Sequence, residues 1–350
     1  MAYTTIDDSS AYFQIATYTG NGTDNTAITN DGNSDLQPDW IWIKRTSSSE
    51  DHQLADSTRG VTKWLHSNLT NSEGTTTARL KSFDTNGFTL GDTGSTNKSG
   101  DTFVAWQWKA NGGTTSSNTD GATTSTVQAN TDAGFSIVTW TGTGSATTLG
   151  HGLGDTPKML IVKNRDTAVD WAVYHKNLTD AGYVLALNSN DAEVDSGTNR
   201  WNHTDPTSSV FSVGSGQQTN QSSNDMVAYC FAEKQGYSKF GKYTGNGSSD
   251  GPYIHLGFKP AFLLFKRIDN SRSWVIIDSK RDPHNVATKR LFPDGTSANN
   301  VLADLVDLVS NGFKVRQPNV IINSSGETYI YMAFAENPFV TSTGIPTTAR

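Results

Sequence analysis

Cleaving a glycosidic bond takes two carboxyl groups, one acid and one base or nucleophile, on either side of it. The glutamates available are Glu50, Glu73, Glu193, Glu233, Glu327 and Glu336. They form no Glu-x-Asp-x-x-Glu run, and Glu233 and Glu336 read as strand ends, so no catalytic residue is expected. A better constellation is Asp56 with Arg59, which recurs as Asp278 with Arg281. An Asp-x-x-Arg pair at a strand corner can hold a polar ligand or close the turn as an ion pair; where a third copy should stand, the chain has His175. The histidines lack the His-x-x-x-His spacing of a metal site, so no metal and no cofactor is expected. The loops at residues 30–35 and 246–251 offer oxygen ligands of the kind calcium takes, but Asn, Asp and Gly also make turns without an ion. No serine nucleophile elbow or phosphate-cradling loop occurs. Aromatic residues give the sharpest signal. Trp40 and Trp42, and Trp106 and Trp108, sit at alternate positions, so each pair projects from one face of a strand. That face is either core or an exposed platform for a sugar or a neighbouring subunit. The candidate ligand-binding residues are therefore Trp40, Trp42, Trp106, Trp108, Asp56, Arg59, Asp278 and Arg281.

These residues lie on a repeated framework. A proline, five mostly apolar residues and a lysine recur three times, ending at Lys44, Lys163 and Lys266. Upstream of each is a turn: Thr19-Gly20-Asn21-Gly22, Thr141-Gly142-Thr143-Gly144 and Thr244-Gly245-Asn246-Gly247. Downstream of each is a closing aromatic strand, containing Trp106, Tyr229 or Tyr331. Each copy spans roughly a hundred residues, the size of a domain and too long for a solenoid unit. Short strands, frequent turns and little helix make the fold all-β, three tandem antiparallel β-sandwich domains of jelly-roll-like layout. The boundaries expected are an N-terminal arm at 1–10, repeats at 11–110, 133–235 and 236–339, a Gly/Ser/Thr-rich flexible linker at 111–132, and a loose tail at 340–350. Residues 299–309 carry the single apolar pattern suited to a short helix.

Composition narrows the class. Acidic residues number 34 against 27 basic ones, with no basic cluster, which argues against nucleic acid as a partner. The single cysteine, Cys230, rules out an intrachain disulfide and suits a buried position. No secretory signal and no long apolar span is visible, so membrane insertion is not expected and the chain reads as one made in a cytoplasm.

The Tyr-Thr-Gly-Asn-Gly turn, the strand from Pro38 through Trp40 and Trp42 to Lys44, the Asp56-Ser57-Thr58-Arg59-Gly60 corner and the closing run from Gly100 to Ala110 resemble a domain of virion proteins from tailed bacteriophages, especially those of marine and cyanobacterial hosts. The resemblance covers all three repeats and is weakest in the second. It implies a concanavalin-A-like or SPRY-like sandwich on a virus particle and names no catalytic residues. The expected function is then a non-enzymatic virion structural protein, a tail fibre or host-recognition appendage binding a cell-surface glycan or receptor. It would assemble in the host cytoplasm, leave by lysis, act as a homotrimer and contact other virion proteins. The alternatives are a capsid decoration or tail adaptor protein touching only virion proteins, and, disfavoured, a glycan depolymerase.

Overall fold

The computed structural model describes residues 3–347. It is all-β and antiparallel, built as three sandwich units in tandem. In unit 1 the main sheet runs in the order Phe13–Thr19, Thr102–Trp108, Trp40–Arg45, Gln53–Asp56. Unit 3 repeats that order with Ser238–Thr244, Thr328–Pro338, Phe258–Arg267 and Val275–Asp278. Unit 2 has it too, in Phe135–Thr141, Asp225–Ala232, Pro157–Asn164 and Ala172–His175, with two further strands added at its edge.

Alternation along the strand explains the apolar runs. Ile41 and Ile43 face the unit's own second sheet and pack with Phe88, Leu90 and Phe103. Trp40 and Trp42 face the other way, into a core that draws on all three units. The same split places Leu160 and Val162 against unit 2's second layer and Leu263 and Phe265 against that of unit 3. Met159 and Ile161, Phe262 and Leu264 go to the shared core. Each main sheet is thus covered on both faces, which is why its central strands are apolar throughout.

Register makes Trp108, Phe231 and Phe334 equivalent, since each lies opposite the first inner residue of its strand: Trp40, Met159 and Phe262. These three rings touch one another, with centroids 6.5, 5.7 and 6.0 Å apart. They mark an internal threefold axis on which the units close as a ring.

Four segments depart from the sequence reading. Residues 111–132, expected to be a flexible linker, form the strands Ser116–Asn118 and Ser125–Asn130 on the edge of unit 2. Gly112 and Gly113 are fixed as their N–H groups donate to the Asp39 carboxylate at 2.9 and 2.8 Å. A polar edge strand needs backbone pairing rather than an apolar side-chain set, so composition alone misreads it. The segment expected as a helix is the strand Asn300–Val309; its pairing with Ala287–Arg290 shifts register, which breaks the alternation that would have announced it. The arm is docked within its own chain: Ile6 enters the shared core, and Thr4 and Tyr3 donate to Gln235 and Gly257 carbonyls. The tail is tied through Ser342 to Asp7 as far as it is described, while residues 348–350 lie outside the described residues.

Candidate functional site

The polar residues singled out by the sequence lie at the seams between units. At seam 1–2, Arg59 Nε donates to Asp56 Oδ2 at 2.5 Å, and Tyr229 of unit 2 donates its hydroxyl to the same oxygen at 2.7 Å. Glu73 joins Arg59 of unit 1 to Arg165 of unit 2. Asp56 and Arg59 are sealed from solvent, each side chain 0% exposed. Burial opposes the guanidinium charge, and Asp56 and Glu73 outweigh it, so its pKa is raised. At seam 3–1 the second copy does the same: Arg281 Nε donates to Asp278 at 2.6 Å and Trp106 of unit 1 donates its indole N–H to that carboxylate at 3.1 Å. At seam 2–3 the position that register makes equivalent to Tyr229 and Trp106 holds Met332, which has no O–H or N–H to donate, and His175 Nε2 meets the Tyr331 carbonyl instead, at 3.2 Å. The sequence difference in the second repeat is therefore a matched change of both partners.

The repeated lysine has the same logic. Lys163 donates to the Thr70 carbonyl of unit 1, Lys266 to that of Asn190 in unit 2, and Lys44 to that of Thr296 in unit 3. All three are fully buried, and burial pushes each ammonium down to about 8. Beside them, Trp171 and Trp274 donate their indole N–H to His66 and Ala186 carbonyls, and His52 takes that place against Phe292. Each bond thus recurs around the ring, from one unit to the next and back to the first.

His52 and His175 are neutral by geometry. Trp42 donates to His52 Nδ1 and the Asn177 amide donates to His175 Nδ1, so in each ring Nε2 carries the proton that reaches the carbonyl. Burial lowers both, His175 to about 3, with Lys44 and Arg281 near His52 and Lys176 near His175 adding to it. Below about pH 6.5 the unfolded chain takes up protons that the folded one does not. Stability is therefore complete above that pH and lost as pH falls toward the folded-state values, by about 1.4 kcal/mol per pH unit for each histidine. In urea titrations between pH 7 and 4, His175→Gln should flatten this slope; an unchanged slope would count against it.

Sequence reading missed Asn97, Asn220 and Asn323, each five residues before a closing strand. All are buried, and each accepts from the backbone of the Thr-Gly-x-Gly turn, at Asn21, Thr143 and Asn246. The turn's first glycine is obligatory, because a Cβ at Gly20, Gly142 or Gly245 would lie 2.4, 2.1 or 2.2 Å from a carbonyl of that segment. The constant spacing of these asparagines was the available signal.

Trp40, Trp42, Trp106 and Trp108 are at most 1% exposed. Trp40 stacks on Tyr229 of unit 2 at 4.3 Å, and Trp106 meets Phe262 of unit 3 at 5.8 Å. They are core at the ring axis and offer no platform to a ligand. In the loops considered for calcium, Asp31 pairs with Lys280 and Asp250 with Lys314. Among the described residues no group of three His, Cys, Asp or Glu side chains is placed to hold a metal ion.

One hollow of about 350 Å³ lies in unit 2, beside Trp171, Val184 and Arg200, and others open at seam 3–1. A cleft of about 390 Å³ lies between Phe13, Gln14 and Ile15 of unit 1 and Ala261, Ser279 and Glu336 of unit 3. Beyond the Lys259–Glu336 pair, 2.7 Å, a second hollow of about 460 Å³ follows within unit 3. The carboxylates of the cleft are held: Asp8 by Ser10 and Ser34, Asp31 by Lys280, Glu336 by Lys259. A carboxylate pair poised for acid–base work is not assembled there.

A family model described as a domain of unknown function (DUF7483) matches residues 8–338. The chain belongs to this family. The DUF7483 match starts in the docked arm and stops at the last residue of the closing strand of unit 3, so the family's unit is the whole ring rather than one third of it. No curated protein and no solved structure matches the chain.

Proposed function

We propose that this DUF7483 chain is a non-enzymatic structural component of a tailed-phage particle, a rigid three-lobed module that joins other virion proteins. The resemblance of its turns and strands to phage virion domains supplies the setting. The observation that carries the role is the ring itself: the aromatic faces that could have bound a sugar are spent on joining the units, and the buried polar groups are spent on the seams. What is left outside is a polar surface with scattered apolar residues such as Val194 and Val301. This favours the decoration or adaptor role over the tail fibre and its glycan. The threefold symmetry expected of a homotrimer is met here by three units of one chain, so this reading takes single chains as the building block.

Purified chain should sediment at its monomer mass of 37.8 kDa. It should bind particles assembled without it, and leave phage adsorption unchanged when host cells are saturated with it first. Blocked adsorption would overturn the adaptor role in favour of receptor binding, and failure to bind deficient particles would remove the structural one.

A further inference from the structure

The three seams solve one problem in three ways. In the opening strand of each unit, alternate residues turn their N–H and C=O groups inward to the closing strand, as the bonds from Lys109 to Tyr12 and from Ala232 to Gly134 fix. The residues between them, Ile15, Ile137 and Phe240 by register, turn theirs outward. In unit 2 the outward edge is covered by Ser125–Asn130, with Gln128 opposite Ile137. At seam 2–3 the Glu233 carboxylate takes the Phe240 N–H at 3.1 Å. At seam 3–1 the equivalent carboxylate, Glu336, is turned onto Lys259, and among the described residues no strand pairs with the outer edge of Phe13–Thr19. The cleft described above runs beside this edge, and a hollow of about 230 Å³ continues it past Ala16 and Thr17, with Asp31 and Lys280 shared between the two.

The walls repeat those of the filled seam in part. Ser279 bonds Ala261 as Ser57 bonds Asp39, and the Ser57 hydroxyl is what accepts from Gln128 at seam 1–2; Ala261 stands where the Asp39 carboxylate holds Gly112 and Gly113, so the repeat extends to the serine and not to the carboxylate. We propose that the edge of Phe13–Thr19 at seam 3–1 is a docking site for an extended strand of a partner polypeptide. That strand would pair with Ile15 and Thr17 as Ser125–Asn130 pairs with unit 2. The seated segment in unit 2 states the chemistry: an uncharged strand with an amide side chain pointing into the seam, as Gln128 does, flanked by small apolar residues such as Val127 and Ala129. Main-chain bonds supply affinity in this mode and alternate side chains supply specificity. The edge would take such a strand whether or not the chain serves a virus particle.

The probe is a fluorescent synthetic peptide of residues 123–131, titrated into the full chain and followed by anisotropy. Saturable binding is expected, weakened at least tenfold by Thr17→Pro, which removes an outward N–H without breaking the ladder. Lys242→Pro, at the matching place in unit 3, should leave it unchanged. Hydrogen exchange on the unmodified chain provides a second measurement: the Ile15 and Thr17 amides should exchange faster than those of Gln14 and Ala16, and slow when the peptide is added. No saturable binding, equal loss with Lys242→Pro, or Ile15 and Thr17 already protected without peptide would overturn the proposal. So would a concentration-dependent dimer that Thr17→Pro abolishes, because the edge would then belong to a second copy of the chain.

Discussion

Trp108→Ala should cost about 3–5 kcal/mol, the range for removing a large buried aromatic, and the loss should be felt in all three units at once. Trp108 packs against Trp40 and Phe13 of its own unit at 4.5 and 5.0 Å, and edge-on against Phe231 of unit 2 and Phe262 and Phe334 of unit 3. A cavity there sits on the axis, where no single unit can relax to fill it. Trp108→Phe should cost far less: Phe231 and Phe334 stand at the equivalent positions, and Trp108 Nε1 has no acceptor to lose. The measurement is urea unfolding followed by both tryptophan fluorescence and far-UV circular dichroism. One shared transition at lower urea is expected for the alanine variant; a unit that unfolds separately at its original midpoint would show that the axis does not bind the units together.

Asp56→Ala should cost about 3 kcal/mol, the low end for breaking a buried ion pair. The variant leaves the Arg59 guanidinium and the Tyr229 hydroxyl buried with one partner fewer, although Glu73 still holds Arg59 at 2.8 Å. Tyr229→Phe alone should cost about 1–2 kcal/mol. The double variant should cost less than the sum, because the hydroxyl and the carboxylate serve each other across the seam. A half-exposed pair such as Lys176 with Glu233, 3.5 Å, gives the contrast, at under about 1 kcal/mol. Additive losses at Asp56 and Tyr229 would mean that the seam bond contributes little, and that the sequence match between His175 and Met332 has another cause.

Much of this was legible in the chain. Three copies, their strand-rich character and the Asp-x-x-Arg corners stand out because periodicity and turn chemistry are local. The meaning of the inner face is not local. A strand covered on both sides reads as one apolar run whether its second face meets its own sheet or another unit's, so Trp40 and Trp42 could not say which. Lys44 ended the run like a residue reaching water, yet it is buried against a carbonyl 252 positions away. Nothing at either end of that contact encodes the other except the threefold recurrence. Asn97, Asn220 and Asn323 were findable by constant spacing, but they lie among polar neighbours where an asparagine draws no notice. The cleft at seam 3–1 is defined by what two sister seams have and it lacks, a comparison possible only once the register is known.

The shared core also sets an order on synthesis. Unit 1 leaves the ribosome with Trp106 and Trp108 made, but Phe262, which meets both, and Phe334, which meets Trp108, belong to the last third of the chain. At about 5–20 residues per second the wait is on the order of ten seconds to a minute. Through that interval the nascent chain carries an aromatic face whose unit 3 cover is still to be made. A cell making this protein has to shelter that face, and truncation before the closing strand of unit 3 would release a species prone to aggregate rather than a smaller working protein.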